Sequence, residues 1–466
     1  MPVRRSPGRR RGAAAGAAAA LVAALACASL ACAPAPSRAP ASAPAPLRSL
    51  RIPDGDLDRA PRAVSAAEAL GDLDDARYAF EHAYAGLDGR SPLPPPRALA
   101  RARAALRARA AWRPDELARL LRDLFEAPDG HLAFGHGGRA PLRSTAGPRP
   151  PPGPAPLLGA GSPPLSRAAA AGSAPLPDLP RRVAPPRRLG LPVELTRSPV
   201  GGVPVLAVRT FDSAAAAALA ALPALAAELR RAPAFVVDLR GNAGGDYRFA
   251  ERFARALTDA PLCALDEREV LSVAAAEGRA NSVRRRLARG DVPDEARPRF
   301  LEHLAALERL AGALRARPSA APRADLITRG ALVRGRAAGP RGATSARGAT
   351  SARGVFLVDR GCASACEMLL ALVRQIPGVL VAGQNTRGGM SVGEVALFRL
   401  PRSGVTLSFG TRAFRDPLGD FVELRGFEPD VRLDGVDPVG DAAALALRGW
   451  PEGAPRRGAR ASCARR

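Results

Sequence analysis

Four short stretches of this 466-residue chain carry residue types that could do chemistry together. In VDRGCASACE, Ser364 sits where an apolar, strand-like run meets a helix-like run. A serine there can cap the helix, and Glu367 three residues on completes the capping-box spacing. It can also be a nucleophile, because the helix dipole and the N–H of Ala365 would stabilise an oxyanion formed beside it. The two uses are compatible.

A nucleophilic serine needs a base. The chain contains no lysine, so its 69 basic residues are all arginine and a Ser/Lys pair is excluded. Four histidines remain. His82 and His303 lie in amphipathic helical runs and read as structural. His131 and His136 lie in EAPDGHLAFGHGG, where a helix ends in a glycine-marked turn. His131 follows Asp-Gly and precedes an apolar run.

The third stretch is FVVDLRGNAGGDYRF, residues 235–249, a buried strand entering Gly-Asn-Ala-Gly-Gly and then a helix. Glycines there let the amides of Gly244 or Gly245 point at an anion. Phosphate is excluded on detail, since GxGxxG, GK[ST] and lysine are all missing. An oxyanion hole or a plain tight turn remains. The fourth stretch, FVELRGFEPDVRL, carries Glu423 between Val422 and Leu424. On a strand Glu423 would point opposite to both neighbours and read as solvated.

The elements that must position these residues follow from periodicity. Three runs between 55 and 138 have helical apolar spacing. Residues 139–190 are Pro-rich and read as a disordered linker. From 191 to 450, strand-like runs (VPVLAVRTF, AFVVDLR, GVFLVD, GVLVAG) alternate with helical ones, and VGEVALFRL with GVTLSFGTRAF reads as a hairpin. That alternation argues an α/β core. An insertion at 264–354 begins helical and charged and ends in RGATSARGATSARG, read as a solvated loop.

The net charge of +25 would point to nucleic acid if it lay on one folded face. Segments 1–50, 139–190, 323–354 and 454–466 carry +7, +7, +6 and +5, so the rest of the chain is neutral. The excess sits in Pro/Ala/Gly-rich segments, and no specific nucleic-acid partner is expected. Residues 1–32 read as an export signal: arginines, then a short apolar run, then Cys27 and Cys32. Both ordinary cleavage and lipidation at either cysteine fit, with 33–54 as a Pro/Ala tether and 451–466 as a basic tail. The chain is therefore expected outside the cytoplasm, periplasmic or attached to the cell envelope. No Cys/His cluster has metal spacing, and no metal or cofactor is expected. An exported chain could oxidise two of Cys263, Cys362, Cys366 and Cys463, in a pairing the sequence leaves open.

Together the four stretches resemble the tail-specific, or C-terminal processing, serine peptidases, in the branch typified by the tricorn core protease. VDLRGNAGG resembles the family's oxyanion loop, VDRGCASACE its nucleophile segment and AGQNTRGG the segment that follows. The lysine of the commoner branch falls where this chain has Gly389. The tricorn-like branch uses a histidine from a DGH-type segment and a glutamate before GxxPD, which His131 and Glu423 match. The resemblance covers roughly 55–138, 191–262 and 355–440. It implies a crotonase/ClpP-like α/β core behind a small helical bundle. It also implies Ser364 as nucleophile, His131 as base and Glu423 as its aligning carboxylate. The oxyanion donors would be Gly245 or Gly244, with Ala365, and the substrate a peptide or protein. Departures are Gly130 for a serine, with Asp129 as the available polar substitute, and Gln384 for a glutamate. No PDZ domain is recognised, and two cysteines flank Ser364, for which a Cys362–Cys366 disulfide is one option. The alternative is a catalytically impaired peptide- or lipid-binding protein on the same scaffold.

Overall fold

The first helix starts where SAAE supplies a capping box. The Ser65 hydroxyl accepts from the Glu68 amide at 3.3 Å, and Glu68 accepts from the Ser65 amide at 2.8 Å. The computed structural model describes residues 48–86, 93–127, 129–137, 141–143, 191–316, 326–329, 332–333 and 353–448. The signal segment, the basic tail, and most of the tether, linker and tandem repeat lie outside the described residues.

The N-terminal region comprises β1 (Val64–Ser65), α1 (Ala66–Ala83), α2 (Pro96–Arg107), β2 (Ala111–Trp112), α3 (Pro114–Leu124), β3 (Ala133–Gly135) and β4 (Leu142–Arg143). β4 pairs with β3, so the start of the stretch expected to be linker is ordered strand. The core opens with β5 (Val193–Arg197), β6 (Pro204–Val208), α4 (Ala216–Leu219), α5 (Leu222–Leu229), β7 (Ala234–Asp238) and α6 (Tyr247–Leu257). β8 (Leu262–Cys263) leads into the insertion, which holds β9 (Asp266–Val270), α7 (Val273–Ala288), α8 (Arg297–Ala316), β10 (Leu326–Arg329) and β11 (Leu332–Val333). The core resumes with β12 (Arg353–Val358), α9 (Ala365–Val373), β13 (Val379–Gly383), β14 (Val392–Arg399), β15 (Thr406–Arg415), β16 (Val431–Arg432) and α10 (Pro438–Arg448).

One sheet runs β16-β13-β12-β7-β6-β5, parallel except for β5. Every residue of β7 and β13 is buried, because helices cover both faces. α5, α6 and α9 lie against one face, and α10 packs on the other through Ala442, Ala443 and Ala446. α9 is buried along its whole length, which explains why its sequence is apolar on every side apart from Glu367.

The second sheet is antiparallel. β14 pairs with one edge of β15, and β3 and β9 share the other. β9 and β10 are strands that the charged, helix-like insertion did not reveal. The N-terminal helices share a core with this sheet: Phe80 of α1 stacks on Phe125 at 4.5 Å and packs on Phe409 of β15 at 4.7 Å. Asp72, fully buried on α1, accepts from the Ser403 amide at 2.8 Å and ties the helix to the β14–β15 turn.

Asp72→Ala leaves that buried amide without an acceptor, a loss of about 1–3 kcal/mol. We expect a lower urea midpoint in one transition, with Trp112 fluorescence (in a Trp450→Phe background) and far-UV circular dichroism falling together. A separate, earlier Trp112 transition would mean that the helices fold as their own unit.

Candidate active site

Ser364 ends the turn from β12 into α9 with φ 55° and ψ −119°, a left-handed backbone rare for a residue with a side chain. Such strain costs about 1–3 kcal/mol and persists only where the surroundings over-determine it. They do so here. Cys362 and Cys366 form a disulfide that brackets the serine, their Cα atoms 5.5 Å apart. The Ala363 amide donates to Asn242 O at 3.0 Å, and Arg387 N donates to Cys362 O at 2.9 Å. The Ser364 amide donates to Glu367 Oε2 at 2.9 Å, which is the Glu367 half of the expected capping box. Ser364 is the N-cap that the sequence allowed, in capping-box arrangement with Glu367, and its hydroxyl faces the Glu367 amide without a cap hydrogen bond that would tie it down.

The glycine loop reaches the same place from β7. Asn242 is fully buried; its Nδ2 donates to Val208 O at 3.0 Å and its Oδ1 accepts from the Gly244 amide at 2.9 Å. That bond removes Gly244 from the expected oxyanion donors. Gly244 serves by lacking a side chain. A Cβ there would lie 2.6 Å from Ala363 O, 2.8 Å from Ala365 N and 2.9 Å from Ser364 Cβ. The Gly245 and Ala365 amides make no hydrogen bond among the described residues and remain available. Gly245 has φ 138° and abuts Phe211, another position closed to a Cβ.

His131 arrives on the turn between α3 and β3, anchored by buried Leu132 and Phe134. Its amide donates to Asp129 Oδ1 at 2.7 Å, and its Nδ1 lies 3.6 Å from the same oxygen. Nδ1 is buried without a hydrogen-bond partner. Burial disfavours the charged ring, but Asp129, with the Glu423 and Glu367 charges, outweighs it and holds the His131 pKa above the ordinary histidine value. A Cβ at Gly389, the position of the other branch's lysine, would lie 3.8 Å from His131 Cε1. His131 and Ser364 line one cavity of about 860 Å³, which His303 enters from α8 and His136 does not line.

Glu423 is not on a strand. It lies in a tight turn in which the Gly426 amide donates to Val422 O at 2.7 Å, and it is buried rather than solvated. Its Oε1 accepts from the Gly130 amide and its Oε2 from the Ser391 amide, each at 2.8 Å. Burial, then the Asp129 charge, pushes its pKa up to about 8. Of the two expected ways for Glu423 to align His131, directly or through water, no direct bond is present among the described residues; the contact is to the amide of the preceding residue, Gly130. Glu367, read from sequence as a helix cap, is more central than that. It accepts from Ser364 N, Thr386 Oγ1, Gly388 N and Gly389 N, at 2.6–2.9 Å. The Thr-x-Gly-Gly spacing in AGQNTRGG was the signal that could have revealed this.

Residues 202–433 match the model of Peptidase family S41. Among solved structures, the chain is similar to mature CPAF, with 18% identity, 52% of this chain and 49% of that chain covered, and a TM-score of 0.33. For a putative peptidase from Parabacteroides merdae the figures are 12%, 82%, 94% and 0.42. For a photosystem II D1 C-terminal processing protease they are 19%, 57%, 54% and 0.30. The chain thus spans about half the length of CPAF. No curated protein matches it. Through residues 202–433, this chain belongs to peptidase family S41.

Proposed function

We propose that the protein is a serine endopeptidase that cleaves peptides or protein C-termini through an acyl-enzyme on Ser364. The observation that carries this is Ser364 itself, held in a strained backbone with its hydroxyl uncommitted and lining one cavity with His131. Ser364 Oγ attacks the scissile carbonyl carbon as His131 Nε2 takes its proton. The amides of Gly245 and Ala365 receive the oxyanion. His131 then gives the proton to the leaving amine, and a water activated by the same ring releases the acid product. The family membership and the histidine beside the glycine at 389 support a Ser/His enzyme of the tricorn-like branch. The arginine-led apolar run of residues 1–32 supports export, with Cys27 or Cys32 as a lipid attachment point.

A fluorophosphonate probe should label wild type at one site and fail on Ser364→Ala. An absence of labelling in folded wild type would favour the impaired binding protein instead. His131→Ala should lower kcat on the order of 10³-fold or more with little change in KM, as for a removed triad base. His136→Ala should stay within about threefold of wild type, a residue outside the machinery having no transition-state contact to lose. Peptide hydrolysis measured side by side decides between them, and greater sensitivity at His136 would refute the base assignment.

A further inference from the structure

We propose that Asp129, rather than Glu423, is the carboxylate that orients His131 and stabilises its protonated ring, while Glu423 fixes the loop that carries it. The assignment rests on the peptidase reading and sharpens it. Asp129 is almost wholly buried and doubly tethered. Its Oδ1 accepts from the His131 amide at 2.7 Å, and its Oδ2 accepts from the Gly410 amide at 3.3 Å. The first bond holds the carboxylate on the side of His131 that bears Nδ1, 3.6 Å away. Nδ1 is buried and unpartnered, so closure by a few tenths of an ångström gives it a charge-assisted bond. Catalytic hydrogen bonds are commonly long without substrate and tighten with it. Nε2 is then the nitrogen left for Ser364.

Glu423 makes no hydrogen bond to the ring among the described residues; its oxygens accept instead from the Gly130 and Ser391 amides. A hydroxyl relay at position 130 is also closed, since a Cβ there would lie 2.8 Å from Gly389 Cα and 3.0 Å from Gly388 O. Three carboxylates face His131: Asp129 from its own loop, Glu367 from α9 and Glu423 from the turn after β15. Like charges packed this closely do not all ionise. Burial and the Asp129 charge push the Glu423 pKa up to about 8, so Glu423 is mostly protonated at neutral pH.

The sign of the effect follows. An ionised Asp129 favours imidazolium, so the His131 pKa is raised, and turnover, which needs neutral His131, increases as pH rises through it. Removing the Asp129 charge moves that limb to lower pH. Replacing Glu423, mostly protonated there, moves it less. The test is NMR titration of the His131 ring in the full chain, assigned with His131→Asn. Asp129→Asn should lower the ring pKa by about one pH unit or more, the usual size for a lost charge at this distance. Glu423→Gln should leave it within a few tenths. Asp129→Ser is the second neutral variant should the first not fold, and Glu423→Gln is read independently of both. An unmoved ring pKa in a folded Asp129 variant, or an equal drop in Glu423→Gln, overturns the proposal. The ring titrates whether or not the protein turns over, so absent Ser364 labelling would refute the peptidase reading and leave this result standing. Where turnover is measured, Asp129→Asn should lower kcat by on the order of 10²–10⁴-fold with KM little changed.

Discussion

The buried carboxylate of Glu367 is the constraint from which the site's geometry follows. A carboxylate removed from water is tolerated only when hydrogen bonds replace its solvation. Glu367 takes four, and each fixes a different part of the site. The Ser364 amide locks the nucleophile turn, Thr386 Oγ1 locks the start of the next loop, and Gly388 and Gly389 lock its end. Thr386 also accepts from the Phe427 amide at 2.8 Å, and Gly388 O accepts from the Leu424 amide at 2.8 Å. The turn that bears Glu423 is therefore hung on the same knot. Burial raises the Glu367 pKa and the four donors oppose that rise. The carboxyl is bound by neutral dipoles.

Missing side chains complete what this carboxylate begins. Gly388 and Gly389 make a floor without Cβ atoms, and Gly130 lies directly on it. The contact brings the His131 loop, more than 200 residues upstream, against the segment that follows the nucleophile helix. A side chain at 130 would need space that Gly388 and Gly389 occupy, whereas a Cβ at 389 would meet His131 Cε1 at an ordinary contact distance of 3.8 Å.

Much of this was legible because it is local. A buried parallel strand reads as an unbroken apolar run, and β7, β12 and β13 did; a serine between such a strand and an apolar helix announced the turn at Ser364. Tertiary pairing was not legible. β3 is three residues long and is a strand because β15 and β4 supply its partners. β9 reads DEREV, and Glu267, Arg268 and Glu269 suggest a solvated helix until Arg412 and Arg279 pair with its acids. Glu423 looked like a solvated strand residue because nothing nearby in sequence shows the amides that bury it. Gly244 could not be told from Gly245 as a donor, since the choice depends on where the Asn242 side chain turns.

The insertion has a consistent physical role once α7 is placed. One side of α7 contributes Arg279, Ser282, Val283, Arg285 and Arg286 to the cavity that holds Ser364 and His131. The helix is held from two directions by one fully buried side chain, Asn281. Its Nδ2 donates to Leu397 O of β14 at 3.0 Å and to Leu50 O at 2.9 Å, and its Oδ1 accepts from the Ile52 amide at 3.0 Å. Ser282 Oγ adds a bond to Val395 O at 2.9 Å. The amide of Asn281 thus satisfies a carbonyl of β14 and binds the segment at 48–52 to the roof of the cavity. Unpaired buried backbone groups are costly, so the roof, the N-terminal segment and β14 each depend on the other two for their hydrogen bonds. The insertion is in this sense part of the catalytic core.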